Sequence, residues 1–134
     1  MKKSILFLDD DPVALRLIID TFKQHFGTEY AYHKAGSAEE AKEVLVEDLA
    51  RKGTLPTLIV SDWIMPGQRG DEFLVSIGED YPEIGLVMHS GLTDPDLEAR
   101  LRSACRLVAC LKKPWDGKQQ YEAIATALQR TPVS

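Results

Sequence analysis

Three aspartates, each placed at the end of a short apolar run, are the residues of this chain best suited to chemistry. Asp62 ends the run 58–61, and Asp9 with Asp10 follows the run 4–8. Both runs have the length of a buried strand, and the carboxyl ends of parallel strands form the ligand-binding edge of open α/β sheets. If the two strands are neighbours, three carboxylates share one pocket and must bind a proton or a cation. A hard divalent ion such as Mg²⁺ suits such oxygen ligands.

A hydroxyl and an ammonium group complete this set, because Ser90 and Lys113 each follow a further apolar run. Together these groups predict phosphoryl transfer to a carboxylate, in which Asp62 attacks the phosphorus atom in line and forms an acyl phosphate. Charge on the three phosphoryl oxygens must then be neutralised. We expect Mg²⁺ held by Asp10 and Asp62 to take one oxygen, Lys113 another and the Ser90 hydroxyl the third. Asp9 is expected behind them, orienting metal-bound water, and a backbone carbonyl just past Asp62 completes the octahedron.

The chain alternates apolar runs with amphipathic stretches, which predicts an α/β fold. Strands are predicted near 4–8, 30–33, 57–61, 84–88 and 107–111, the second being a more polar edge strand. Helices are predicted to begin at Asp11-Pro12, at the capping box Ser37 to Glu40, at Gly70-Asp71, at Asp94-Pro95 and at Asp116. The helix stripes expected to face the core are Ala41, Val44, Leu45 and Leu49; Phe73, Leu74 and Ile77; Leu97 and Leu101; and Tyr121, Ile124, Ala125 and Leu128. Five β-α units in succession predict a mainly parallel sheet with helices on both faces and right-handed crossovers.

Length and charge narrow the classes of function. The 134 residues fit one domain, which we assign to residues 1–130, with residues 131–134 as a tail or the start of a linker. A net charge of −5 argues against a nucleic-acid groove within this chain. No apolar stretch approaches the roughly 20 residues that span a bilayer, and the N-terminus continues directly into a strand, so we expect neither membrane nor signal peptide and a cytoplasmic location. Cys105 and Cys110 have a spacing that fits no zinc or redox pattern.

These motifs resemble the receiver domain of two-component response regulators over essentially the whole chain. The matching residues are Asp9-Asp10, Asp62 followed by Met65-Pro66-Gly67 and Gly70, Ser90-Gly91, and Lys113-Pro114. The resemblance implies a flavodoxin-like (βα)₅ fold with a five-stranded parallel, doubly wound sheet in the order 2-1-3-4-5. It implies that a histidine kinase or phosphotransfer protein donates a phosphoryl group to Asp62 with Mg²⁺ as cofactor. It also implies that the Ile64 carbonyl binds the metal and that the Lys113–Pro114 peptide bond is cis.

Partner binding follows from the same resemblance. Phosphorylation in such domains draws the hydroxyl matching Ser90 inward and rotates an aromatic side chain on the fifth strand. That movement repacks the partner surface formed by the fourth helix, the fifth strand and the fifth helix. Here Cys110 occupies the aromatic position, so a coupled aromatic flip is not expected. A homodimer, if phosphorylation promotes one, is predicted to form around Leu97, Cys110 and Tyr121, and an output domain could follow Ser134.

Two alternatives remain open at this point. One is a receiver-like binding module that works without phosphorylation. The other is a phosphatase similar to the haloacid dehalogenases, since Asp9 and Asp11 match an Asp-x-Asp motif after a strand. In that case Asp9 is the nucleophile and Asp11 the general acid, but nothing after Lys113 supplies the further acidic pair that such enzymes need. The receiver interpretation expects a phosphoacceptor that catalyses only its own phosphorylation and dephosphorylation, and is not an enzyme acting on an external substrate.

Overall fold

The structure is a computed structural model of the 134-residue chain. It describes residues 3–27, 29–53, 55–62, 70–90, 95–104, 107–112, 122 and 124–126, without the side chains of 48–50, 52, 70, 71, 89, 90, 109, 111 and 112. Strands and helices alternate along these segments. The strands are β1 (Ser4–Leu8), β2 (Ala31–Ala35), β3 (Leu58–Asp62), β4 (Gly85–Ser90) and β5 (Leu107–Lys112). The helices between them are α1 (Pro12–Phe26), α2 (Ala38–Lys52), α3 (Gly70–Asp80) and α4 (Pro95–Ala104).

The five strands form one parallel sheet in the order β2-β1-β3-β4-β5. This order confirms the predicted α/β fold and the edge position of the second strand. The second strand was predicted at 30–33, whereas β2 spans Ala31–Ala35. The last residue of β2, Ala35, lies opposite Leu8 of β1, so pairing with β1 extends β2 beyond its apolar stretch.

Each strand contributes alternate side chains to two hydrophobic clusters, one on each face of the sheet. Leu6 and Leu8 of β1 belong to the cluster beneath α2, α3 and α4, while Ile5 and Phe7 belong to the cluster beneath α1. The ring of Phe7 meets the ring of Phe22 of α1 edge-on, with 4.8 Å between centroids. Burial on both faces explains why the strands are continuously apolar and confirms the doubly wound arrangement.

The starts of α1 and α2 are fixed by the predicted caps. The side chain of Asp11 accepts a hydrogen bond from the Val13 backbone N–H at 3.0 Å and so caps α1. At the start of α2, the Ser37 hydroxyl accepts a hydrogen bond from the Glu40 N–H, and the Glu40 carboxylate accepts one from the Gly36 N–H. The predicted caps at Asp94 and Asp116 lie outside the described residues, as do residues 131–134 of the predicted tail.

Most members of the predicted core stripes are buried where the structure describes them, and Ala125 is half-buried. The fully or nearly fully buried members are Ala41, Leu45, Phe73, Leu74, Ile77, Leu97, Leu101 and Ile124, and Val44 is partly buried against the same core. The side chains of Leu49, Tyr121 and Leu128 lie outside the described residues. Among the described helices, none combines the length and the apolar composition that a membrane span needs.

Candidate functional site

The candidate site lies at the carboxyl edge of the sheet, where the strand register brings three chain segments level. Leu8, the last residue of β1, pairs with Ser61, so Asp9 follows β1 at the height of Asp62. Asp62 in turn pairs with His89, directly before Ser90. The parallel sheet therefore aligns residues that are more than fifty positions apart in the sequence at one edge, where α/β sheets bind ligands.

Three carboxylates meet at this edge. One ligand oxygen each from Asp9, Asp10 and Asp62 lies within 4.8 Å of the others. Asp9 is 4% exposed, Asp62 is half-buried and Asp10 is exposed. The cluster therefore has a buried end at Asp9 and opens to solvent at Asp10, so a ligand can reach it from the edge of the sheet.

Backbone hydrogen bonds hold Asp9 in place. Its N–H donates to the Ala35 carbonyl at 3.2 Å, which extends the pairing of β1 with β2 by one residue. Its Oδ1 accepts a hydrogen bond from the Asp11 N–H at 2.9 Å, closing a turn of the kind that aspartate side chains form two residues ahead. Asp9 is thereby oriented before any ligand binds, and Asp11 is committed to capping α1.

The donor set fits a magnesium ion. Mg²⁺ prefers oxygen ligands in an octahedron at about 2.1 Å, which places neighbouring and opposite ligands about 3.0 to 4.2 Å apart. The 4.8 Å limit on the separations among Asp9, Asp10 and Asp62 lies just above that range, so small side-chain rotations suffice. All three donors are carboxylates, and nitrogen or sulfur ligands typical of zinc are absent from this described cluster.

Several predicted site residues are only partly described. The backbone of Ser90 ends β4 and pairs with Lys112 of β5, the residue directly before Lys113 in the sequence. The Ser90 side chain lies outside the described part. Lys113, Pro114 and Ile64 lie entirely outside the described residues. Their predicted roles, and the cis peptide bond, remain predictions.

The fifth strand contains an irregularity that the sequence did not indicate. Leu86 pairs with Leu107, but Val87 pairs with Ala109, so Val108 is an additional residue in β5. This bulge shifts the later pairs by one position, so that Cys110 lies opposite Met88. The Cys110 side chain is half-buried and packs against the core beneath α4. Only the pairing with β4 could have revealed it.

The predicted dimer surface includes a residue of the core. Leu97 was expected on that surface together with Cys110, yet it is only 2% exposed and packs in the core. Its position four residues before Leu101 places both on the inward stripe of α4. Leu97 therefore belongs to the core beneath this surface, and the dimer around Leu97, Cys110 and Tyr121 stays a prediction.

Comparison with known proteins finds a sequence relative and many proteins of similar structure. No protein family model matches the chain. The hydrogenase transcriptional regulatory protein HoxA of Cupriavidus necator is 27% identical over 127 residues, covering 94% of this chain and 24% of HoxA. The chain thus spans about a quarter of the length of that curated relative.

The similar solved structures include receiver domains. The signal receiver domain of an HD domain-containing protein from Pseudomonas fluorescens Pf-5 is 25% identical, with a TM-score of 0.74 and 96% of each chain covered. A response regulator receiver domain protein from Clostridium thermocellum is 21% identical, with a TM-score of 0.77 and coverage of 96% of this chain and 95% of that one. In fold and in sequence, the chain is thus similar to response regulator receiver domains, which confirms the resemblance predicted from the motifs.

Proposed function

We propose that this chain is a receiver that accepts a phosphoryl group on Asp62 and changes its partner binding in response. The observation that carries the proposal is the convergence of Asp9, Asp10 and Asp62 within 4.8 Å at the carboxyl edge of the sheet. Receiver domains are signalling domains, and the likeness to them and to a regulatory protein supports a signalling role at the coarser level.

In the proposed reaction, a carboxylate oxygen of Asp62 attacks the phosphorus atom of a phosphohistidine on a histidine kinase or phosphotransfer protein. The phosphorus–nitrogen bond breaks, and the leaving imidazole keeps the electron pair and takes up a proton. Asp9, Asp10 and Asp62 would hold Mg²⁺, with the Ile64 carbonyl as a further ligand. The bound ion supplies positive charge that offsets the negative charge of the phosphoryl oxygens.

Two other side chains would neutralise the charge on the remaining phosphoryl oxygens. We propose that the Ser90 hydroxyl donates a hydrogen bond to one phosphoryl oxygen and the Lys113 ammonium binds another. The register of β4 with β5 supports this assignment, because Ser90 is paired with the residue directly before Lys113. Hydrolysis of the acyl phosphate would return Asp62 to its free carboxylate and end the signal.

The same cluster makes the phosphatase alternative less favourable. That mechanism needs Asp11 as a general acid, but its Oδ1 accepts the Val13 N–H and caps α1. Its backbone N–H is likewise engaged, by Asp9 Oδ1. Asp11 thus has a structural role that explains its position without catalysis.

The test is phosphorylation by acetyl phosphate, with and without Mg²⁺, followed by intact mass. We expect one phosphoryl group on the wild type that requires Mg²⁺, is lost in Asp62→Ala and is retained in Asp11→Asn. Asp11→Asn is the matched control, because asparagine also caps helices and the change in charge equals that of Asp62→Ala. An adduct that survives Asp62→Ala but disappears in Asp9→Ala would instead support the phosphatase alternative.

The donor protein must approach the acidic edge, and α1 offers an apolar contact beside it. Val13 and Leu17 are 67% and 63% exposed, and their four-residue spacing places them on one face of the first two turns, directly after the acidic loop. We propose this patch as part of the donor contact. Leu17→Glu should slow phosphorylation by a phosphotransfer protein but not by acetyl phosphate, while Val46→Glu on α2, where Val46 is 60% exposed, should change neither.

A further inference from the structure

A groove between α3 and α4 lies outside the acidic site. Its volume is about 500 Å³, within the range of protein ligand pockets. Each helix contributes residues at positions i, i+3, i+4 and i+7, so the groove runs along both helices. The residues that matter for its chemistry are Glu72, Val75 and Glu79 on α3, and Leu97, Arg100 and Leu101 on α4.

The groove has an apolar floor and charged walls. Leu97 and Leu101 are 2% exposed and form its base, with Val75 partly buried against them. Glu72 and Glu79 are exposed and stand seven residues apart, which is about 10.5 Å along the helix. Paired helices with an apolar floor are the geometry in which a third, amphipathic helix lays its apolar stripe.

Charge decides which occupant fits best. The α3 wall carries two acidic side chains, and the chain as a whole has a net charge of −5. A second copy of the same chain would bring more negative charge to the groove, whereas a cationic partner is attracted to it. Arg100 on the opposite wall is positive, so the basic side chains of a cationic partner would lie on the α3 side.

We propose that the groove between α3 and α4 binds an amphipathic helix of a partner protein. The apolar stripe of that helix would contact Val75, which is half-buried, and Ala104, which is exposed, above the buried side chains of Leu97 and Leu101. Basic side chains two turns apart would lie along the α3 wall beside Glu72 and Glu79. The groove shares Leu97 with the surface predicted from the sequence around Leu97, Cys110 and Tyr121, but it lies between α3 and α4 rather than along β5.

The connectivity links this groove to the acidic site. Asp62 is the last residue of β3, and α3 is the next helix; Ser90 is the last residue of β4, and α4 is the next helix. The two walls therefore follow directly from the strand ends that carry the proposed phosphoacceptor and hydroxyl. In this respect the inference rests on the proposed function: phosphorylation that moves either strand end should alter the spacing of the walls and the affinity for the helix.

The test uses a synthetic amphipathic peptide of about 16 residues, long enough to form a marginally stable helix, with leucines on one face and two lysines seven residues apart beside them. A matched peptide carries glutamate in place of the two lysines. We expect the lysine peptide to perturb backbone amide resonances of α3 and α4 in the ¹⁵N-labelled chain. The double variant Glu72→Lys/Glu79→Lys should weaken binding roughly tenfold, from two lost attractions replaced by repulsions. Glu83→Lys, a single charge reversal outside the groove, should not.

Several results would overturn the inference. One is equal affinity of the lysine and glutamate peptides. Another is an equal loss of peptide affinity in Glu72→Lys/Glu79→Lys and Glu83→Lys when the circular dichroism of both variants is unchanged. A third is a set of amide resonance changes centred on β5. Self-association abolished by Arg100→Glu would assign the groove to a second copy. Intact mass separates the two proposals: a phosphorylated chain with unchanged peptide affinity refutes the coupling alone. Failure of phosphorylation refutes the proposed function, while peptide binding to the unmodified chain still tests the groove.

Discussion

The neighbouring residues Asp10 and Asp11 allow metal binding to be separated from general electrostatics. Both changes, Asp10→Asn and Asp11→Asn, remove one negative charge. Only Asp10 belongs to the carboxylate cluster, whereas Asp11 caps α1 through a hydrogen bond that asparagine can also accept. We therefore expect Mg²⁺ to stabilise the wild type and Asp11→Asn, but to stabilise Asp10→Asn far less.

The expected size follows from the geometry and from linkage. Two unit charges 4.8 Å apart repel by about 1 kcal/mol in water and about 3.5 kcal/mol at an effective dielectric constant of 20. Asp10 is exposed, so the lower value applies to each of its two neighbours, and salt reduces it further. Without Mg²⁺, Asp10→Asn should match or exceed the wild type in stability. At Mg²⁺ ten to a hundred times above its Kd, the free energy of unfolding of the wild type should rise by about 1.4 to 2.7 kcal/mol.

Urea unfolding followed by circular dichroism, with EDTA or with about 10 mM Mg²⁺, measures this difference. The stability order of the wild type and Asp10→Asn should reverse when Mg²⁺ is added. An equal Mg²⁺ response in Asp10→Asn and Asp11→Asn would refute the assignment of the ion to this cluster. Replacing Mg²⁺ by an equal ionic strength of Na⁺ controls for screening, which acts on both variants alike.

Two further predictions concern the fold that positions the site. Gly85→Ala should lower the free energy of unfolding by about 1 to 3 kcal/mol in urea titrations, because the added Cβ lies 3.1 Å from both Leu58 Cδ1 and Val108 Cγ2. Gly36→Ala is its control, since the Cβ added there meets only an ordinary 3.5 Å contact. An equal loss of stability in both variants would contradict overpacking as the cause. Burial raises the pKa of Tyr32, so its contribution to stability is complete below pH of about 10 and is lost as pH rises through the raised pKa. Tyr32→Phe removes the 2.7 Å hydrogen bond from the Tyr32 hydroxyl to the Gly27 carbonyl and should lower the free energy of unfolding by about 1 kcal/mol at neutral pH. If this loss did not shrink in denaturation curves at alkaline pH, the hydrogen bond of the neutral phenol would not be its cause.

Local pattern predicted the secondary structure well because each element carries its own signals. The pair Asp11-Pro12 marks the start of α1, where the aspartate caps the helix and proline has no N–H to leave unpaired. Burial of both faces makes the central strands continuously apolar, which sets them apart from the amphipathic helices. β2 was placed less accurately, because its pattern is more polar and its limits depend on pairing with β1.

The bulge in β5 and the groove between α3 and α4 had no comparable signal. An additional residue at Val108 changes which side chains of β5 face the core, yet nothing in the run 107–111 distinguishes it from a regular strand. Leu97 illustrates the same limit, because its helical spacing predicted an inward position while the family resemblance suggested a contact surface. Its 2% exposure decides in favour of the core.

The sequence by itself determined the types of the site residues and their positions at strand ends, because acidic residues directly after apolar runs are a local property of the chain. Local pattern left open whether Asp9, Asp10 and Asp62 share one pocket, and only the resemblance to receiver domains implied it. That proximity depends on β1 and β3 being neighbours in register, with Leu8 opposite Ser61, although more than fifty residues separate them. Only the tertiary structure decides it, since strand order and register follow from how the helices cover both faces of the sheet, and no local run of residues encodes that packing.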